Sequence, residues 1–224
     1  MGELYRLGEA DLAQDYQKAQ EFFEKAAAQD CALAENDLGD LNLHGEGVER
    51  SPSEAFKWYK KAADHDDAMG QNNLGYMYFH GFGADKDLSA AKDWYLKSAK
   101  QGNPFAQDVL GYMFQTGQGV GEDPAQAFQC YKTAAQQGYA TAQIHLGELY
   151  KGGVGVAQNS PEAAKWFCKA AALGDVGANP QLRSMGTDCS SLPVAGAESS
   201  AAAGAVSPSA SSAVSTPATG AEGP

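Results

Sequence analysis

The chain has 224 residues, of which 43% are hydrophobic and 20% are charged, enough for one globular domain with a substantial core. The formal net charge is −12, and an acidic surface repels phosphate groups, which argues against nucleic acid and anionic membranes as partners. We expect the partners to be other proteins that present basic or apolar segments.

The N-terminus lacks the basic stretch followed by an apolar core that marks a secretory signal. No apolar run approaches the ~20 residues that cross a bilayer. We therefore expect the chain as given to be soluble, without insertion into a membrane, and cytoplasmic.

Three sequence markers recur in one register with a step of 36 residues. An aromatic-rich pair recurs at 22–23, 58–59, 94–95, 130–131 and 166–167. A Leu-Gly pair recurs at 38–39, 74–75, 110–111 and 146–147, and paired glycines recur at 45/47, 81/83, 117/119 and 153/155. Such self-similarity is typical of a repeat protein. We place units one to five at about 2–30, 31–66, 67–102, 103–138 and 139–174, followed by a degenerate end at 175–183.

Each unit is predicted to contain two helices. In unit two, an apolar stripe at helical spacing marks the second helix, and its members are Ala55, Trp58, Tyr59, Ala62 and Ala63. Ser51 is suited to cap the start of this helix. Trp94 occupies the same column one unit later, so we expect Trp94 to lie in the core.

The first helix of each unit carries the glycine of the Leu-Gly pair. A glycine inside a helix costs about 1 kcal/mol relative to alanine, so its recurrence predicts a neighbour that passes too close for a side chain. The paired glycines that follow supply the positive φ that a tight turn between helices needs.

These residues resemble the Sel1-like repeat family. Unit five shows the whole pattern, with Ala140, Ala142, Leu146, Gly147, Tyr150, Gly153, Gly155, Val156, Ala163, Trp166, Phe167 and Gly174. The tetratricopeptide repeat shares the two-helix logic, but it has 34 residues per unit and lacks the paired glycines. The resemblance implies an all-α fold, a right-handed α-solenoid of about five 36-residue helix-turn-helix repeats. It also implies a role in assembling protein complexes.

The two ends depart from the pattern. Unit one begins at Gly2, without the upstream half of its first helix. Pro180 is expected to interrupt the helix after unit five. Residues 184–224 are rich in Ser, Ala, Gly and Pro, and we predict a disordered tail there because they offer little apolar surface to bury.

The four cysteines, Cys31, Cys130, Cys168 and Cys189, share no repeat column and no C-x-x-C spacing. We expect them to be free thiols in a reducing compartment rather than disulfides or zinc ligands.

One stripe of the first helices is expected to face the concave side of the solenoid, by analogy with tetratricopeptide geometry. The predicted partner-binding residues on it are Met69, Asn72, Tyr76, Phe79, Phe105, Asp108, Tyr112, Ile144 and Glu148. Asn72 and Asp108 would bond the backbone of a bound segment, and the aromatic residues would supply apolar contacts. Tyr112 is expected at the surface, since its column also holds Asp40 and Glu148.

The predicted function is that of an adaptor or scaffold that binds a peptide or helix of another protein. No cofactor, metal or catalytic residue is predicted. An alternative is a structural, self-assembling repeat protein. A second alternative is a β-lactam-hydrolysing enzyme, suggested by the S-x-x-K string from Ser89 to Lys92, although no S-D-N or K-T-G accompanies it. His44 and His80 occupy one column at the end of the first helices, and we expect them to be helix C-terminal residues rather than metal ligands.

Overall fold

The computed structural model describes residues 1–9 and 13–189. Over these residues the chain is helical and contains no strand, which confirms the predicted α-solenoid. Helices α1 to α11 span Gly2–Leu7, Tyr16–Ala27, Ala32–His44, Pro52–Asp64, Ala68–His80, Leu88–Lys100, Pro104–Thr116, Pro124–Gln136, Ala140–Gly152, Ser160–Ala172 and Ala178–Ser184. None of the helices in this part of the chain has the length and hydrophobicity that a membrane crossing requires.

The second helix of every unit begins at a side-chain cap. The capping oxygen accepts a hydrogen bond from a backbone N–H of the first turn, which the helix itself leaves without a partner. The capping residues are Asp15, Ser51, Asp87, Asp123 and Asn159.

The paired glycines close the turn between the two helices of a unit, as predicted. Gly81 ends α5 with φ +74°, and Gly83 follows with φ +71°. A Cβ on Gly83 would collide with the carbonyl of Pro52 at the start of α4, so this turn also packs against the preceding unit.

Each unit packs its second aromatic residue against the glycine of its Leu-Gly pair. A Cβ on Gly111 would lie 2.7 Å from the ring of Tyr131, and one on Gly147 would lie 2.7 Å from that of Phe167. The expected close neighbour is therefore an aromatic ring, not a helix backbone. Tyr59, Tyr95, Tyr131 and Phe167 are accordingly almost fully buried.

The prediction that Trp94 lies in the core is wrong. Trp94 is half-buried, as are Trp58 and Trp166, whereas Tyr95 is buried against Gly75. A lysine three residues later covers the outer face of each tryptophan; Lys97 Nζ, for example, lies 3.6 Å from the ring centroid of Trp94. The tryptophans thus lie at the edge of the core under a cation.

Polar side chains also join the two helices of a unit. Gln101 Nε2 donates to the buried Gln71 Oε1 at 2.9 Å in unit three, and Gln137 Nε2 donates to the buried Gln107 Oε1 at 2.7 Å in unit four. In unit five the corresponding residues are Leu173 and Gln143, and leucine cannot form this bond. Units three and four therefore carry polar as well as apolar contacts between their two helices.

The C-terminal end differs from the prediction. Pro180 lies in the first turn of α11, where its missing N–H leaves no bond unmade, and it does not prevent the helix. Cys168 and Cys189 form a disulfide, so the prediction of free thiols is wrong for these two, while Cys31 and Cys130 are free. Residues 184–189 are therefore attached to the repeats, and the remainder of the predicted tail lies outside the described residues.

Substituting the buried tyrosine should cost more stability than substituting the adjacent tryptophan. We expect Tyr95→Ala to lower the free energy of unfolding by about 3–5 kcal/mol through lost burial and a cavity. Trp94→Ala should lower it by less than about 2 kcal/mol, because the ring is half-exposed. Urea unfolding followed by circular dichroism measures both, and a larger loss for Trp94→Ala would contradict the assignment of the faces.

Thiol titration of the denatured, unreduced protein should find two free thiols rather than four. The disulfide closes a segment of 21 residues, and loops of this size are associated with about 3 kcal/mol of stabilisation. Dithiothreitol should therefore lower the melting temperature of the wild type but leave that of Cys168→Ser unchanged. Four reactive thiols before reduction would show that the bridge does not form.

Candidate interaction surface

The predicted partner-binding residues lie in α5, α7 and α9, the first helices of units three to five. Within α5, Met69, Asn72, Tyr76 and Phe79 follow at intervals of three or four residues, which places them on one side of the helix. Their burial is not uniform: Met69 is exposed, Tyr76 and Phe79 are half-buried, and Asn72 is only 6% exposed.

A row of buried polar side chains runs along the middle of this face. Asn36, Asn72 and Asp108 occupy the same position in successive units. In two of the three cases the row is bonded to the residue 37 positions later: Asn73 Nδ2 donates to Asn36 Oδ1 at 2.9 Å, and His145 Nδ1 pairs with Asp108 Oδ1 at 2.8 Å.

Asn72 is the exception in this row. The residue 37 positions later is Val109, which has no side-chain donor. Asn72 Nδ2 donates to Asn73 at 3.3 Å, but within the described residues Asn72 Oδ1 is buried without a hydrogen-bond partner. Burying an acceptor in this way costs about 1–3 kcal/mol unless a partner satisfies it.

Asp108, unlike Asn72, has a hydrogen-bond partner in the next unit. The Asp108 carboxylate is almost buried and its Oδ1 is bonded to His145, whereas its bond to a partner's backbone stays a prediction. Burial lowers the pKa of His145, but the hydrogen bond and charge of Asp108, with Glu148 and Asp175, outweigh it and raise that pKa. Asp108 thus stabilises the contact between units four and five.

The described structure groups five aromatic rings at the end of this face, which we call the aromatic patch: Tyr76, Phe79, His80, Phe82 and Tyr112. His80 stacks on Phe82 with ring centroids 5.5 Å apart, and Tyr76 lies 4.4 Å from His80. Phe79 joins unit three to unit four through Tyr112, at 6.5 Å. Phe82 and Tyr112 are 38% and 39% exposed, so the patch presents apolar surface to solvent.

His80 is part of this patch through its ring contacts with Tyr76, Phe79 and Phe82. Partial burial, with the nearby charge of Lys86, lowers the pKa of His80. Within the described residues, no group of three or more His, Cys, Asp or Glu side chains is placed to hold a metal ion.

A second set of apolar side chains lies at the other end of the same helices. Leu33, Met69 and Phe105 share one column and are all exposed. Asn103 Nδ2 contacts Met69 Sδ at 3.4 Å, and the ring of Phe105 packs against that of Tyr139 at 6.2 Å. Exposed apolar residues therefore lie on both sides of the buried polar row, one set near the start of the helices and the other near their end.

The predicted residues of unit five lie apart from the aromatic patch. Ile144 is half-buried and lies beside Gly177, just before α11. Glu148 is exposed, and its Oε1 accepts a hydrogen bond from Gln181 of α11 at 3.1 Å. These two side chains contact the C-terminal helix and not the aromatic residues.

Several carboxylates lie close together in unit two, at the other end of the face from unit five. The pKa of Asp37 is raised to about 7 by burial and by the charges of Glu3, Asp40 and Asp67, against one opposing charge from Arg6. Burial also raises the pKa of Asp40, although Asp40 accepts a hydrogen bond from the Tyr59 hydroxyl at 2.6 Å. Four acidic side chains, Glu3, Asp37, Asp40 and Asp67, thus lie around one arginine at this end of the face.

The residues of the S-x-x-K string lie at the start of α6. Ser89 is in the first turn of α6, where its backbone N–H donates to the capping Asp87. Lys92 Nζ pairs with Asp93 at 3.2 Å. Neither side chain belongs to the face described above.

Phe82 was not predicted as a surface residue, because it lies inside the glycine turn. Its column reads Glu46, Phe82, Gln118 and Val154, so the one aromatic residue of the column was a visible signal. The unpaired Asn72 carbonyl could also have been found, by comparing each residue of the polar row with the residue 37 positions later.

A family model described as Sel1 repeat matches the chain at residues 1–31, 32–67, 68–103, 104–139 and 140–175. No curated protein matches the chain. Among solved structures, a protective antigen of uropathogenic Escherichia coli strains that displays an SLR fold is 34% identical, with a TM-score of 0.76. That match covers 82% of this chain but 39% of the antigen, so the chain spans less than half of its length.

Two further structures show the same architecture. A Sel1 repeat protein from Oxalobacter formigenes is 31% identical over 83% of this chain and 74% of its own, with a TM-score of 0.77. An immunity protein from Pseudomonas aeruginosa is 25% identical over 79% of this chain and 67% of its own, with a TM-score of 0.55. With five matched units and this shared fold, the chain belongs to the Sel1 repeat family.

Proposed function

We propose that this chain is an adaptor that holds a peptide or helix of a partner protein across the face of α5 and α7. Sel1 repeat proteins generally mediate protein–protein interactions, and the repeats generally act as a non-catalytic scaffold. The observation that carries the proposal for this chain is the aromatic patch, which exposes Phe82 and Tyr112 on adjacent units.

The chemistry of this face supports the binding of a protein segment. Aromatic side chains are enriched at the centres of protein interfaces, where they bury large areas. The patch and the exposed side chains Met69 and Phe105 lie on either side of Asn72. A bound segment would place its apolar side chains on both sets, and a backbone N–H could bond the Asn72 carbonyl after rotation of that amide.

Removing one exposed ring of the patch should weaken binding without unfolding the protein. Tyr112→Ala should change the free energy of unfolding by less than about 1 kcal/mol, as at other surface sites. It should weaken binding of a captured partner by about 1–2 kcal/mol, roughly 5- to 30-fold. Partners are captured from a lysate of the source organism on the immobilised full-length chain, and their affinities are then measured by calorimetry.

Two matched variants make the experiment specific. Phe22→Ser is the control, because Phe22 is 36% exposed on α2, away from the patch, and its loss should leave binding intact. Val109→Asn would supply the donor that Asn72 lacks, as Asn73 does for Asn36, and should weaken binding while every ring of the patch stays in place. Equal binding by wild type and Tyr112→Ala would remove this face as the binding site.

A further inference from the structure

The proposed function leaves open the chemistry of the bound segment. We propose that the face selects an extended segment in which an aromatic or branched apolar residue and a lysine or arginine are about three residues apart, with the basic residue lying towards unit two. This inference rests on the proposed function. It depends on three observations, namely the order of residues along the units, the balance of charge at each end, and the unpaired acceptor between them.

The order of residues in one column predicts the spacing of apolar and basic residues in the bound segment. The position of Tyr76 is occupied along the chain by Asp40, Tyr76, Tyr112 and Glu148. The first helices of units two and three contact each other, and packed helices lie about 8–10 Å apart. Since an extended chain advances about 3.3 Å per residue, one step between units corresponds to about three residues.

Acidic side chains outnumber basic ones at the unit-two end. Arg6 is bonded through its guanidinium to Glu3 at 2.9 and 3.1 Å and lies 3.8 Å from Glu46. The charge of Arg6 also acts on Asp37 and Asp40, but no ion pair among the described residues includes either carboxylate. A cationic side chain from outside would therefore meet several carboxylates that share one arginine.

The unit-five end is different. Gln181 donates to Glu148, and Lys151 Nζ donates to Gln181 Oε1 at 3.1 Å, which brings a positive charge beside that carboxylate. Lys86 Nζ, 5.7 Å from the ring centroid of Phe79, adds a further cation next to the patch. The attraction for a basic side chain is thus greatest in unit two, which places the basic residue of the segment at that end.

Asn72 supplies the independent sign that this face takes a ligand. Its side chain is more than nine-tenths buried, and its Oδ1 has no partner among the described residues. It lies between Met69 and Tyr76 on the same face of α5, next to the patch. A second copy of this chain is a poor occupant, because two chains of net charge −12 repel each other.

The test uses a phage-displayed library of random 12-residue peptides, selected on the immobilised full-length chain. Enriched peptides are synthesised, and their affinities are measured at 50 and 300 mM NaCl. We expect them to carry an aromatic or branched apolar residue with a lysine or arginine about three positions away. Asp37→Asn/Asp40→Asn should weaken their binding at least fivefold at low salt and much less at high salt.

A matched peptide and a pH series identify the contact. A second peptide has its basic residue replaced by glutamine. Its affinity for the wild type should equal that of the parent peptide for the double Asp→Asn variant. Its affinity for the double variant should be no lower than its affinity for the wild type. The pKa of Asp37 is near 7 beside Glu3, Asp40, Asp67 and Arg6, so protonation below pH 7 should remove part of the attraction. Affinity should fall between pH 8 and pH 5.5 in the wild type but much less in Asp37→Asn/Asp40→Asn.

The outcomes separate the two proposals. Peptides without basic residues, or binding that ignores the two Asp substitutions yet is lost in Phe82→Ser and Tyr112→Ser, would overturn this inference and leave the proposed function standing. Binding that survives Phe82→Ser and Tyr112→Ser, or no enrichment of any peptide, would overturn both. Circular dichroism of each variant verifies the fold.

Discussion

The contact between the Leu-Gly glycine and an aromatic ring sets the geometry of every unit. The glycine removes the side chain where the first helix meets the second, and the ring of Tyr95, Tyr131 or Phe167 fills the space. Close packing of this kind tolerates little change in volume, because an added methyl group must displace the ring. The turn glycines and the helix caps determine where each helix starts and stops, but this contact determines how far apart the two helices lie.

The sequence predicted what recurs in every unit and missed what depends on one particular pair of residues. The 36-residue step was sufficient to predict two helices per unit, their caps and the glycine turns. It did not distinguish Trp94 from Tyr95, since both lie on the apolar side of one helix and only the position of the glycine decides which is buried. The disulfide was missed because Cys189 lies beyond the repeats, where no column predicts its partner.

The candidate site followed the same rule. Helical spacing alone was sufficient to place Tyr76, Phe79 and Tyr112 on one side of α5 and α7. The bond of Asp108 could not be found in this way, because its partner, His145, is 37 positions away and belongs to the next unit. A solenoid makes its contacts between neighbours, so a residue's role depends on two units and not on one. The proposed binding face arises where units three and four depart from the common pattern, with Phe82 in a turn and Val109 in place of a polar residue.

The half-buried tryptophans have a consequence for spectroscopy. The chain holds three tryptophans, and each lies in a different unit, with Trp58 in unit two, Trp94 in unit three and Trp166 in unit five. Each ring is packed on one face and covered by a lysine on the other, so its emission responds to the opening of its own unit. In solenoids, opening can begin at one end and spread unit by unit. The chain thus contains three intrinsic fluorophores, spaced along its length, that report the order in which its units come apart.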